Sequence, residues 1–588
     1  MPQPTNHLFQ VDLTLEDGFP HQSPWVFSLP VWTPGSYLIR EYSRHIQGVQ
    51  AWYGDVPIAV QKVSKNRWQT IVSEPLTSEP TTSAPLTSDP IVSVSNNQPL
   101  RLSYQVLAAE LTVRTNHLDA THGYFNPAAL LLAVEGYSHL PHQVTIVLPQ
   151  AHWQVATPLP SLPDAPLTFE ASDYDQLVDS PFEMGEHERF EFTVLDKPHS
   201  LVIWGKGNYD AQWLMGDISR IIETEAALWG GLPYDRYLFL IHLGTSYAGL
   251  EHRDSCSLIC PRQAFRQIES YQTVLNLIAH EFFHLWNVKR LRPKALETFD
   301  YDRENYTPSL WFSEGVTSYY DLLIPQRSGL YESHTFLSLL GKEISRFLNT
   351  PGRWVQPLRE SSWDAWIKLY RRDAHSDNHH ISYYLKGAMV TLLLDLRIRE
   401  RHQNRRSFDD VLRSLWQEWG QPERGFTETD VAQAIAQVLG SKDFLTDYQD
   451  YLDGTAELPF AETFAPFGLE LVPLQSSLPF WGLSLYTERG RVLIQSVLAN
   501  SPGQTAGVEP EDELIAIDGL RVTSSEQALN LLQNYLAGES IALTVFHQDL
   551  LQTRSVILEN PQPSQYELRL MSHPSPAQKA LYEGWLGT

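Results

Sequence analysis

His280, Glu281 and His284 stand in the order His-Glu-x-x-His within TVLNLIAHEFFHLWNVKRL. On a helix, a spacing of four sets both imidazoles on one face. Glu281 is then turned by about 100° from His280. Two imidazoles can grip one divalent cation, while the neighbouring carboxylate reaches the attacking water without being a ligand, which is the requirement of metal-assisted hydrolysis. The bland alternative is an exposed helix that happens to carry two histidines. Leu275, Ile278, Phe282 and Leu285 surround the motif and make this a core helix. Buried histidines beside a buried glutamate need a compensating partner, and a divalent cation supplies one.

A catalytic zinc needs a third protein ligand and an open fourth position. Glu297, Asp302, Glu304 and Glu314 all follow the motif. Glu314 lies in WFSEGVTSYYDLLI at 311–324, whose pattern predicts a helix, and a rigid helix is the better mount for a ligand. The other three fall in a Pro- and Asp-bearing connection and are expected in solvent. The set His280, His284 and Glu314 favours Zn2+, one per chain. Lys289, Arg290 and Arg292 read as a solvated basic end of the motif helix.

The elements around these residues divide the chain. Up to residue 195, short apolar or alternating runs (HLFQVDLTL, WVFSLPVW, LRLSYQVLA, HQVTIVL, RFEFTVL) are punctuated by Pro, Gly, Asn and Asp, which predicts a β-rich, sandwich-like domain. Residues 74–98, with a repeated Pro-Leu-Thr-Ser unit, cannot build a core and read as a disordered insertion. From about 210 a helical period begins at Leu214, Ile218, Ile221 and Ile222. YLFLIHL at 237–243 reads as a strand, TVLNLIAHEFFHLWNVKRL as a long helix ending before Pro293, and 335–460 as mostly helical. Residues 196–465 thus form a catalytic region with a helical part, 475–562 a third unit, and 563–588 a short tail. The order in 475–562 is three strands, a helix and two strands. The fold class is multidomain α+β.

With 588 residues the chain exceeds one core. Its formal net charge of -26 argues against nucleic-acid or anionic-membrane partners, which need basic surface. Cys256 and Cys260 are too few for a disulfide framework and too few to close a structural zinc site. MPQPTNHLFQVDL has no basic-then-apolar leader, and no run approaches a membrane span; both point to the cytoplasm.

HEFFHLWNVKRLRP, then WFSEGVTSYY, then the upstream VWTPGSYLIREYSRH at 31–45, together resemble the glycyl aminopeptidase family of zinc metallopeptidases, which carry a PDZ domain. The resemblance implies a thermolysin-like zinc peptidase domain that removes residues from a peptide's free amino terminus, with glycine or alanine preferred. In the more distant aminopeptidase N group the third ligand falls at the position of Arg303, which cannot bind zinc. YAGLEH at 247–252 is similar to the segment that binds substrate backbone, implying roles for Gly249 and Leu250 and an ammonium-binding role for Glu251. SYYLKG at 382–387 looks like the segment that supplies a tyrosine hydroxyl to the tetrahedral intermediate; the match gives Tyr384, with Tyr383 its rival. Trp481, Gly482, Leu483 and Ser484 resemble the carboxylate loop of PDZ domains, which implies a C-terminal peptide ligand added along 483–487 beside a helix near 525–536. A docked module that shapes access to the cleft stands as the alternative. Two other activities remain open at this stage: a zinc endopeptidase, and an inactive PDZ scaffold.

Overall fold

The computed structural model describes residues 3–16, 24–71, 99–442 and 444–587. The insertion expected at 74–98 lies outside the described residues. The chain is mixed α+β, with a β-rich N-terminal region, a helical middle and a C-terminal PDZ domain. It divides into two compact units: 1–219 with 232–285 and 298–305, and 220–231 with 286–297 and 306–588.

In the first unit, a seven-stranded antiparallel sheet and smaller sheets of four and three strands enclose one apolar core, built on residues such as Phe9, Phe27, Leu102, Phe125 and Phe182. A further five-stranded sheet follows the order Glu188–Val194, Lys197–Trp204, Tyr237–Gly244, Ser255–Pro261, Ala248–Glu251. Its three middle strands run parallel. Tyr237–Gly244 is buried along nearly its whole length, which is why YLFLIHL is a continuous apolar run without alternation. Ala248–Glu251 is the edge strand, antiparallel to Ser255–Pro261. The helix Ile268–Phe283 packs Phe282 against Tyr237 and Phe239 of this sheet.

That helix is shorter than the sequence suggested. It ends at Phe283 with His284 as its C-cap, and the next residues form turns in which Trp286 O accepts from Arg290 N (3.2 Å) and Leu291 N (2.7 Å). Lys289 and Arg290 belong to the second unit, and both are buried. The expectation of a solvated basic helix end is therefore corrected for these two residues; long cationic side chains can bury their stems along apolar surface.

In the second unit, Trp311–Gly315 forms one π-helical turn that leads into the helix Val316–Arg327. A π turn disturbs the regular hydrogen-bond ladder. Here the Asn287 side-chain amide donates to Phe312 O (3.1 Å), Ser313 O (3.2 Å) and Thr317 Oγ1 (3.3 Å). The helix Tyr383–His402 begins at Ser382, whose hydroxyl accepts from Leu385 N. Gly387 of that helix meets Gly315 backbone to backbone: a Cβ built on Gly315 would lie 2.5 Å from Gly387 Cα. The strands Leu483–Glu488 to Leu550–Ile557 and the helix Ser525–Leu532 make the PDZ domain, with Leu483–Glu488 at one sheet edge. Asn378 ties it to the helical part, donating from Nδ2 to Val497 O (2.7 Å) and accepting at Oδ1 from Ala499 N (2.8 Å).

The stretch expected to be a short tail is ordered structure. Gln565–Leu570 pairs antiparallel with Leu469–Leu474, and Pro576–Leu586 is a capped helix that buries Leu581, Trp585 and Leu586. Its apolar positions have a partner only when the chain returns to the helical part, which a local pattern does not reveal.

The Gly315–Gly387 contact leaves no space for a methyl group. Gly315→Ala is expected to lower unfolding free energy by about 1–3 kcal/mol. Gly216→Ala, on an exposed helix position with open space around it, should raise it by about 0.5–1 kcal/mol. Chemical denaturation of the two variants checks both signs.

Candidate metal centre

The first unit contributes the His-Glu-x-x-His motif on one turn. His280 lies in the last turn of the Ile268–Phe283 helix and His284 is its C-cap, with ring centroids 4.6 Å apart and nearly perpendicular. Glu281 is 5% exposed and Glu251 3%. One carboxylate oxygen of each, together with a His284 ring nitrogen, lies within 4.8 Å of the others. Two carboxylates packed this closely away from water repel each other, and cations are what stabilise the pair.

Two glycines create this arrangement. Gly249 of the edge strand faces the motif helix, and a Cβ there would overlap the Glu281 carboxylate. Gly35 has φ +84°, and a Cβ there would overlap the Glu251 carboxylate. Gly35 belongs to VWTPGSY, so this N-terminal stretch forms a wall of the site. Sequence reasoning assigned the stretch no residue role; its Pro-Gly pair was the available signal. Arg114, also missed, donates from Nη2 to Gly249 O (3.0 Å) and fixes the strand. Glu251 Oε1 has no hydrogen-bond partner among the described residues. Leu250 is fully buried, with its side chain in a cluster with Val113 and Ile259.

The two cysteines are free and buried in the strand Ser255–Pro261. Burial, and after it the Glu281 carboxylate, push the Cys256 thiol well up; burial pushes Cys260 up to about 12. Both remain neutral thiols, ill suited as metal ligands.

Glu314 and Tyr384 belong to the second unit. Glu314 sits on the π turn and is buried. The Gly315–Gly387 contact brings that turn against the start of the Tyr383–His402 helix. Burial, then the Glu314 carboxylate and Tyr370, push the Tyr384 phenol well above its ordinary value, so it remains an O–H group. Tyr384 OH is 2.9 Å from Tyr370 OH, and Tyr383 OH is 3.3 Å from it. Tyr383 is fully buried, whereas Tyr384 is partly exposed. Of the other acidic candidates, Asp302 pairs with Arg67 and Asn66 in the first unit, and Glu297 pairs with Lys294 in the second.

In the PDZ domain, Gly482 has φ +74° and packs on Ser501, Trp481 is buried, and Leu483 and Ser484 begin the edge strand. Thr487 Oγ1 accepts from Ser525 N (3.0 Å), joining that strand to the Ser525–Leu532 helix.

The donor set fits a catalytic divalent metal: two imidazoles converge at a buried helix end, with a carboxylate beside them that is not needed as a ligand. Comparison with known proteins bears on the class of the protein. Residues 1–186 match the Peptidase M61 N-terminal domain, 273–390 match M61 glycyl aminopeptidase, and 479–558 match the PDZ domain. The crystal structure of an aminopeptidase N family protein from Idiomarina loihiensis is 31% identical over 99% of this chain and 98% of that one, with a TM-score of 0.90. An M1 zinc metallopeptidase from Deinococcus radiodurans is 14% identical over 77% of this chain and 91% of that one, with a TM-score of 0.46. A mutant of that enzyme bound to a Tyr-Ser-Ala substrate is 15% identical over 78% and 92%, with a TM-score of 0.47. No curated protein matches the chain. The class is that of the zinc metallopeptidases. The chain belongs to the M61 glycyl aminopeptidase family.

Gly249→Ala should displace the Glu281 carboxylate by an ångström or more. A loss in kcat of about 100-fold is expected, with little change in melting temperature relative to that loss; steady-state kinetics and thermal unfolding on the same preparation check it.

Proposed function

We propose that the protein is a zinc aminopeptidase that removes one residue at a time from peptides with a free amino terminus, with the catalytic zinc, one per chain, held by His280, His284 and Glu314. The observation that carries the exopeptidase reading is Glu251: a buried carboxylate with an unpartnered oxygen, set beside Glu281 and His284. A substrate ammonium is the natural cation for that oxygen. An endopeptidase would have no use for it, and an inactive scaffold no use for Glu281.

Zinc at this site would supply Lewis acidity to the attacking water and the scissile carbonyl. Glu281 takes the proton from the water and later gives a proton to the leaving amine. The Tyr384 hydroxyl donates to the oxygen on which negative charge develops; its partial exposure favours it over Tyr383. Glu251 anchors the terminal ammonium. Gly249 and Leu250 present edge-strand backbone to the peptide, in the manner of an added strand. Preference for glycine or alanine at the amino terminus follows from the family resemblance.

The PDZ domain is proposed to take a peptide carboxylate at Trp481, Gly482, Leu483 and Ser484, with the ligand lying along Leu483–Glu488. Among the described residues no helix is long and apolar enough to cross a membrane. The cytoplasm is proposed as its location.

Glu281→Gln is expected to retain catalytic zinc while losing about 10²–10⁴ in kcat; wild-type turnover in that variant rejects the assignment. Glu251→Gln should raise KM for glycyl substrates with a free amine and erase the advantage over their acetylated forms. An unchanged ratio of kcat/KM for the free and blocked pair removes Glu251 from the ammonium site. Tyr384→Phe should cost about 10²–10³ in kcat if its hydroxyl serves the oxyanion, with Tyr383→Phe as the comparison.

A further inference from the structure

His122, Glu183 and His242 form a second buried group of ligand type. They come from three strands, His122–Phe125, Phe182–Gly185 and Tyr237–Gly244, the first two in the four-stranded sheet and the third in the five-stranded sheet. Their side chains are at most 1% exposed. One ligand atom from each lies within 4.8 Å of the others. His242 Nε2 is 2.8 Å from Glu183 Oε2, and His122 Nε2 is 4.0 Å from the same oxygen. Ligand atoms around a tetrahedral zinc at ordinary bond lengths are about 3.3 Å apart, between these two values.

Much of the group's hydrogen-bonding capacity is unused. Neither ring nitrogen of His122 has a hydrogen-bond partner among the described residues, nor has Glu183 Oε1 or His242 Nδ1. Leaving a buried polar group unsatisfied is destabilising. A fold that gathers several such groups at one point requires something that satisfies them together.

The surroundings hold the group in place. The Trp204 ring stacks on His122 with centroids 3.6 Å apart and planes 14° apart. Gly185, opposite His122 in the strand pair, has φ +150°, and a Cβ there would lie 2.7 Å from His122 Cβ. Asp119 Oδ1 is 3.9 Å from His122 Nδ1, on the side of the ring away from Glu183, where carboxylates orient metal-bound imidazoles. His187 Nδ1 is 3.9 Å from Glu183 Oε1.

The group is separate from the His280 and His284 motif. In the five-stranded sheet Ile241, Leu258 and Gly249 stand opposite one another, as do His242, Ile259 and Ala248. Adjacent positions face opposite sides of a sheet. Gly249 meets Glu281, and Tyr237 and Phe239 meet Phe282, on one face. His242 meets Tyr124 on the other.

We propose that His122, Glu183 and His242 bind a second divalent cation, matched by chemistry to zinc, which clips the N-terminal strands to the sheet beneath the motif helix. The site is structural: it takes no part in hydrolysis.

The test is metal content of the purified full-length chain after zinc loading and removal of excess. About two zinc ions per chain are expected for the wild type. His284→Ala, which leaves the second group untouched, should retain about one, and should melt lower once a strong chelator removes it. Glu183→Gln, if it folds, should also retain about one while keeping measurable peptidase activity. One zinc in the wild type that vanishes in His284→Ala overturns the second site and leaves the catalytic reading standing. One zinc that persists in His284→Ala and is lost in Glu183→Gln supports the second site and removes the proposed catalytic one.

Discussion

Glu251 and Glu281 are buried together with His284, and the rest of the arrangement follows from how this pair of acidic groups is tolerated. Acidic side chains buried this close together favour cationic partners. In the proposed function a metal would answer one demand and a substrate ammonium the other. On that proposal the same electrostatic need would give the centre its substrate requirement: a peptide that brings its own positive end would complete the site, and a blocked peptide would leave Glu251 unmatched.

The close approaches depend on absent side chains. Gly249 lets the edge strand lie against Glu281, and Gly35 lets the N-terminal stretch lie against Glu251. In the other unit, Gly315 and Gly387 let the π turn carrying Glu314 touch the helix carrying Tyr384. Each acidic or phenolic group is thus placed by backbone, which has little freedom to relax, and this suits chemistry that loses rate with small displacements. The PDZ domain is held by different means, a two-way amide bridge from Asn378 to backbone.

Much of this was legible in the sequence because the information was local. The spacing of His280, Glu281 and His284 reports helix geometry directly, and YLFLIHL reports a strand buried on both faces. The substrate-binding reading of 247–252 came from family resemblance, since a four-residue strand has too little pattern of its own. The role of Gly35 was hidden because its partner lies more than 200 residues away. Lys289 and Arg290 were misread because charge predicts solvent, while the early end of the helix turned them inward. Residues 563–588 looked like a tail because their partners are far away in sequence. His122, Glu183 and His242 carry no motif at all: three strands from separate parts of the chain supply one residue each, and only the packing of two sheets brings them together.

The most direct examination of the centre is anomalous diffraction at the zinc absorption edge from crystals of the full-length chain grown with zinc. The account predicts a strong peak about 2.0–2.2 Å from a ring nitrogen of His280, a ring nitrogen of His284 and a carboxylate oxygen of Glu314, with Glu281 near the peak and not bonded to it. Well-ordered side chains with no peak among them, or a peak that leaves Glu314 outside bonding distance, would contradict it.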